Sequence, residues 1–342
     1  MMKRHLWILA LLSGVLVGAT DRASAACVDL APSQSTKAHC TIAAGGIVEA
    51  VLSDLRPTQP SLGFDELHYR LGRFEFGKDK LNKRFDDWCE SSGLGGVESA
   101  SAQSRLVDPS SFTCKIKQGS ETKASLEPMK TAVVGPKGQL YLTDGHHTLT
   151  SFMEAKDGGP QTIVRLRVTH NFGDLDETAF WAAMKKNRLV WLRDSEDREI
   201  SPAQLPQSLG MKNFGNDKYR SIFYFGRDIG YKQLSDNAAF QEFYYGSWLR
   251  KHPTLKIDQY KIDTLDGYLT LLKDVTRALS ILPDEAVVSD GVTAKELGRM
   301  AQWNGGAPET GGEFGKQSVP YSDEKPGKLA YAFRYKEAYG LK

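Results

Sequence analysis

Tyr141-Leu142-Thr143-Asp144-Gly145-His146-His147-Thr148 sets a carboxylate, a glycine, two imidazoles and a hydroxyl at one point of the chain. What flanks it decides the fold. Upstream, Lys130-Thr131-Ala132-Val133-Val134 is rich in β-formers. Gly135-Pro136-Lys137-Gly138 is a hairpin-type turn, and Gln139 to Thr143 reads as the returning strand. Asp144-Gly145 ends that strand. From His146 to Ala155 the spacing turns helical, with Leu149, Phe152 and Met153 on one face. After Asp157-Gly158-Gly159-Pro160, the run Thr162 to Thr169 predicts another strand. The order is strand, tight turn, strand, sharp corner, helix, strand. It predicts an α+β protein built on a small mixed sheet.

The corner is the candidate site. A helix N-terminus carries unpaired N–H groups and a partial positive charge, so it seats anions such as phosphate. Gly145 permits unusual backbone angles or close approach of a ligand. Histidine exchanges protons near neutral pH or binds metals. Successive helical residues point about 100° apart, so one of His146 and His147 is expected to face the site and the other to brace it. Asp144 is the candidate metal ligand or acid/base, with Mg²⁺ as the natural divalent cofactor. Thr148 and Gly145 would hold a phosphate, and Lys130, opening the strand that leads in, would meet its charge. The plainer alternative makes Asp144 an N-cap, Gly145 a turn and both histidines structural.

A second block, Leu55-Arg56-Pro57-Thr58-Gln59-Pro60-Ser61-Leu62-Gly63, lies upstream in a Pro-flanked turn. Together with Asp144-Gly145-His146-His147 it resembles the ParB-like/sulfiredoxin-like fold, in the ParB-like nuclease branch. The resemblance spans roughly residues 47–170 and extends into the helical region beyond. It implies that Asp144, His146 and His147 sit where phosphate and substrate meet, and that Thr58 and Gln59 reach the same pocket. A free serine kinase of this superfamily also carries Asp-Gly-His-His. Its motif continues with arginine where this chain has Thr148, and it uses a glutamate base at the position of Gln59. Gln59 cannot take a proton, and whether Asp65 or Glu66 substitutes is left open. No cysteine lies within Asp144–Thr148, which argues against sulfinic acid reduction. The arginine-rich nucleotide motif of partition proteins and a helix-turn-helix are also absent.

The N-terminus reads as a signal peptide over 1–25. Lys3-Arg4 precede an apolar run from Leu6 to Ala19, and Ala23-Ser24-Ala25 has the small-x-small pattern of a cleavage site. The run is shorter than the roughly 20 residues of a membrane span. The expectation is an exported protein, periplasmic or secreted, with no membrane span in its mature form. Taking Lys3, Arg4, Arg22 and Asp21 from the 44 basic and 42 acidic residues leaves 41 of each. A neutral chain does not hold nucleic acid by bulk phosphate neutralisation. Cys27, Cys40, Cys89 and Cys114 suit two disulfides in an oxidising compartment. The preferred pairing is sequential, Cys27–Cys40 and Cys89–Cys114.

Residues 26–173 are expected to form the ParB/sulfiredoxin-like domain, with 91–126 an ordered loop pinned by a disulfide. Residues 174–342 are expected to be mainly helical. Asp174-Leu175-Asp176-Glu177 and Ser201-Pro202-Ala203-Gln204 read as helix starts. Arg220–Gly230, 238–251 and Leu265–Leu282 read as further helices, with Trp181, Trp191 and Trp248 in core or interface. The last thirty or so residues read as loosely packed. The leading functional expectation is a phosphoesterase, hydrolysing a phosphorylated small molecule, a nucleotide or a nucleic acid. The alternatives are a non-catalytic phosphate- or nucleotide-binding module, a kinase-like phosphotransferase, and a partner-binding envelope protein.

Overall fold

Five strands form one mixed sheet under the corner. In the computed structural model, which describes residues 39–234, 239–306 and 312–341, these are β1 (Ile47–Val51), β2 (Arg56–Pro57), β3 (Thr131–Val134), β4 (Leu140–Leu142) and β5 (Ile163–Asn171). Their spatial order is β1-β5-β3-β4-β2. β1 runs antiparallel to β5, β5 parallel to β3, β3 antiparallel to β4, and β4 parallel to β2. The last pairing positions the site. Pro57 lies opposite Leu142 in a parallel register. Thr58 and Thr143 therefore leave the sheet side by side, at the same edge.

β3 is buried on both faces, which is why it reads as an unbroken apolar run. Ala132 and Val134 join the main core with Leu142, Leu149, Phe152 and Leu166. Val133 faces Phe180, Met184 and Leu205 on the other side.

Eight helices carry most of the remaining packing: α1 (Phe64–Phe76), α2 (Lys83–Ser91), α3 (His146–Glu154), α4 (Glu177–Lys186), α5 (Lys218–Phe225), α6 (Gln241–Lys251), α7 (Leu265–Ser280) and α8 (Lys328–Tyr339). The chain is thus α+β, with a small mixed sheet and a mainly helical second half. α1 joins the two halves. Leu67, Leu71 and Phe74 pack into the sheet's core, while Tyr69 belongs to a second core with Ile222, Tyr268, Leu271, Val275 and Leu329. Among the described residues no helix is long and apolar enough to cross a membrane.

Several expectations change here. The stretch 91–126 contains an antiparallel pair, Val97–Ala100 with Phe112–Cys114, and a short helix, Lys123–Leu126. Cys89 and Cys114 form the expected disulfide and tie that pair to α2. Cys40 is disulfide-bonded too; its expected partner Cys27 and the 1–25 segment lie outside the described residues. The cap of α4 is Asp176, whose Oδ1 accepts the Ala179 N–H at 2.8 Å, and not Asp174. Asp174 instead sits in a turn closed by the Leu175 N–H on the Phe172 carbonyl. Ser201–Gln204 makes its capping box but closes a single 3₁₀ turn, Pro202–Gln204. The α5 helix stops before Gly226, and Asp228 takes a positive φ.

The largest correction is at the C-terminus. α8 is not loose: Leu329, Ala330, Tyr331 and Ala332 are buried against α1 and the second core. Its small residues give no strong apolar stripe, so the packing was hidden from periodicity. What permits it is Gly72 on α1. A Cβ there would stand 2.3 Å from the Tyr331 carbonyl oxygen. By intrinsic propensity, Gly72→Ala should stabilise α1 by about 1 kcal/mol. We expect the opposite, a loss of about 1–3 kcal/mol from overpacking, read as a lower urea midpoint at unchanged slope.

Candidate functional site

The corner needs its glycine. Gly145 caps α3 with φ +101°, and no side chain caps the helix. A Cβ at Gly145 would lie 2.7 Å from Cγ of Lys130, so the two residues are pressed together. Lys130 Nζ lies 3.2 Å from Asp144 Oδ2, and the Asp144 side chain is 58% exposed. Desolvation in the recess pushes the Asp144 carboxyl up. The Lys130 ammonium and its hydrogen bond outweigh this and hold the group below the ordinary carboxylate range. The open face of the side chain supports that outcome, since water reaches the charge. The Thr131 carbonyl accepts from both Thr143 and Asp144, and the Thr131 and Thr143 hydroxyls meet at 2.9 Å.

The histidines both point inward. Nε2 of His146 accepts the Thr58 N–H at 3.1 Å, and Nε2 of His147 accepts the Gly63 N–H at 2.9 Å. The two adjacent rings hold the two ends of one loop, residues 58–63. The expected division, one ring facing the site and one bracing it, is not what the geometry gives: both brace. An Nε2 that accepts an N–H is unprotonated, so each ring is neutral with its proton on Nδ1. Burial holds His146 down at about 3, aided by Arg220 and opposed by Asp144. Burial also holds His147 well below its usual range, with Arg220 and Arg70 adding to the effect.

Thr58 and Gln59 do not line an open pocket. Thr58 is 0% and Gln59 5% exposed. The Thr58 hydroxyl donates to the Leu142 carbonyl at 2.7 Å, and the Gln59 amide donates to the Ser61 carbonyl at 2.8 Å. The other face of the loop is covered by the helical half. Trp191, Gly215 and Asp217 donate their N–H groups to the carbonyls of Thr58, Pro60 and Leu62. Thr148 is buried as well. Of the residues read from sequence, Asp144 and Lys130 form the reachable part, beside the N-terminus of α3. Thr58, Gln59, His146, His147 and Thr148 form its support.

Of the two acidic candidates behind the loop, Glu66 is the one that arrives. Its Oε2 lies 3.6 Å from His147 Nε2 and 2.6 Å from Arg220. Its Oε1 lies 3.0 Å from Arg70. Burial pushes this carboxyl up, but Arg220 and Arg70 win and hold it ionised. It is fully engaged and does not replace the missing base. Asp65 turns away to Lys336 at 3.1 Å. Beyond Arg220 the charges continue. Glu242 lies 3.7 Å from Arg220 and accepts from Arg227 Nε at 2.6 Å. Sequence reading missed Arg220, Arg227 and Glu242. For Arg220 and Glu242 the available signal was a charge set within the aromatic runs Lys218–Phe225 and Gln241–Tyr245; Arg227, just past the first run, gave none.

A divalent ion is only partly provided for. Asp144 is the one carboxylate at the corner and already faces an ammonium. Among the described residues, no three His, Cys, Asp or Glu side chains gather to ligate a metal. A Mg²⁺ ion here would need the substrate's own phosphate oxygens.

The histidine geometry has a consequence for pH. Both rings bind fewer protons folded than unfolded, so their contribution is complete above about pH 6.5, the unfolded value. It is lost as pH falls from there toward 3, where His146 titrates in the fold. Tm should therefore drop between pH 7.5 and pH 5. His146→Gln, which keeps an acceptor near Nε2 but cannot take a proton, should flatten that slope.

No curated protein is significantly similar to this chain. Among solved structures, protein Atu1540 from Agrobacterium tumefaciens aligns at 19% identity, covering 68% of this chain and 90% of its own, with a TM-score of 0.45. The family model described as "Putative ParB-like nuclease" matches residues 48–251, from β1 through the corner to the end of α6. That span holds both motif blocks and the charges that connect them, and the chain belongs to the ParB-like nuclease family.

Proposed function

We propose that this chain hydrolyses a phosphodiester or related phosphoryl ester, and that it works outside the cytoplasm. One observation carries the reading: an ionised, solvent-reachable Asp144 stands beside Lys130 at the N-terminus of a helix that no side chain caps. The N–H groups of that first turn and the Lys130 ammonium would balance charge developing on a bound phosphoryl group. Asp144 would take the proton of the attacking water. His146 and His147 would act as positioning residues that fix the corner against the 58–63 loop. The Cys89–Cys114 disulfide supports an oxidising compartment. That setting favours hydrolysis over a nucleoside-triphosphate-dependent transfer.

A second reading, a non-catalytic phosphate- or nucleotide-binding module, has its own support. Both imidazoles and Gln59 spend their hydrogen bonds on backbone groups. A turnover screen separates the two. The substrates are phosphomonoesters, phosphodiesters, nucleotides and single- and double-stranded nucleic acid, each with Mg²⁺, Mn²⁺ or chelator. We expect turnover on a phosphodiester that falls by about a hundredfold or more in Asp144→Ala, the usual scale for losing a general base. Folded protein that binds such compounds and turns none over would favour the binding module.

A further inference from the structure

Four cations meet around one ring. Arg70, Arg220, Arg227 and Lys328 stand 5.9, 5.9, 5.0 and 5.2 Å from the centroid of the buried Tyr224 ring. They come from α1, α5, the loop after α5 and the start of α8, so the fold assembles them from distant parts of the chain. The carboxylates facing them are Glu66, Glu242 and Asp87. Asp87 is shared with Lys83, 3.1 Å away. The cluster is therefore short of negative charge. Two details mark where. The Nε of Arg220, a side chain 7% exposed, has no hydrogen-bond partner. Lys328 has no carboxylate within reach among the described residues. It is the first residue of α8, whose first turn holds no acid. A cation there opposes the helix dipole, so the position costs stability in the free protein.

We propose that this cluster is a seat for a phosphate-bearing anion, reached through Lys328, Arg227 and Arg70, which remain partly exposed. The inference deepens the phosphoesterase reading and takes its biological sense from it. The anionic part of a ligand would lie against Lys328, Arg227 and Arg70 at the rim of the cluster. The Tyr224 ring offers its π face to these cations and offsets part of their mutual repulsion.

The test uses the full mature chain with disulfides intact. Binding of pyrophosphate, and separately of a short single-stranded DNA oligomer, is measured by calorimetry and by the shift in Tm. Wild type is compared with Lys328→Gln, Lys328→Arg and Asp144→Asn. Lys328→Gln should weaken binding by about tenfold, the loss of one charge-assisted contact. It should leave the anion-free Tm unchanged or higher, whereas a merely structural lysine would lower it. Lys328→Arg should retain affinity, and Asp144→Asn should bind at least as well as wild type. Pyrophosphate binding marks a nucleotide-like source, and oligomer binding alone marks a nucleic-acid backbone. Equal affinity in wild type and Lys328→Gln, or no binding of either anion by wild type, would overturn the proposal. Lys328-dependent binding without turnover would remove the hydrolytic reading and leave the seat standing. Turnover in wild type with no Lys328 dependence of binding would do the reverse.

Discussion

The rest of the structure depends on two adjacent imidazoles accepting two backbone N–H groups five residues apart in one loop. Thr58 and Gly63 would otherwise bury unpaired donors under the helical half, each at a cost of about 1–3 kcal/mol. The only ladder of the loop Thr-Gln-Pro-Ser-Leu-Gly among the described residues, Ser61–Leu62 beside Gly215–Asn216, leaves these two donors to the imidazoles. His146 and His147 can reach both ends because they begin a helix. Side chains about 100° apart then diverge along the loop. Neutral histidine suits the task, since a charged ring would have no acceptor to offer. The resulting clamp joins the edge of the sheet, the start of α1 and the N-terminus of α3 into one unit.

Behind the clamp, the fold commits to buried charge. Arg70, Glu66, Arg220, Glu242 and Arg227 alternate in sign from behind the motif into the helical half. Such chains are weak contributors to net stability, because desolvation cancels much of the attraction. Breaking one link is costly, about 3–5 kcal/mol, because it strands a buried charge. Their effect is geometric. The residues that roof the 58–63 loop and those that carry Arg220 and Arg227 cannot shift relative to the corner without stranding one. Family membership, over residues 48–251, covers this whole arrangement and not the small sheet alone.

How much of this could be read from the sequence follows from how local each feature is. The hairpin from Lys130 to Thr143, the break at Asp144-Gly145 and the helix from His146 are written in turn chemistry and period. All three appear where expected. The Cys89–Cys114 bridge was legible because the loop it closes is short. The packing of α8 on α1 was not, because Gly72 on a helix looks like a weak residue until a second backbone lies against it. The roles of His146, His147, Thr58 and Gln59 were misjudged for a related reason. Motif residues suggest chemistry by type, but only tertiary contacts show which of their atoms are already spent. Arg220 and Glu242 were passed over because isolated charges inside aromatic helices show no partner in sequence until the fold brings them together.

One contrast remains. The side chains that support the corner, His146, His147, Thr58 and Gln59, are buried and direct their hydrogen bonds to backbone groups. Asp144 and Lys130 are the exception, with an ion pair open to water and a glycine beside it that only this backbone angle explains. If the corner were merely structural, the pair would be a surface salt bridge worth under about 1 kcal/mol. Two buried histidines and a five-residue charge chain would be a large investment for holding it. The arrangement makes sense if the position of that one carboxylate, relative to the N-terminus of α3 and the cations around Tyr224, is what the scaffold exists to fix. Rigid support with a small exposed centre is how a site keeps its geometry when a charged ligand arrives.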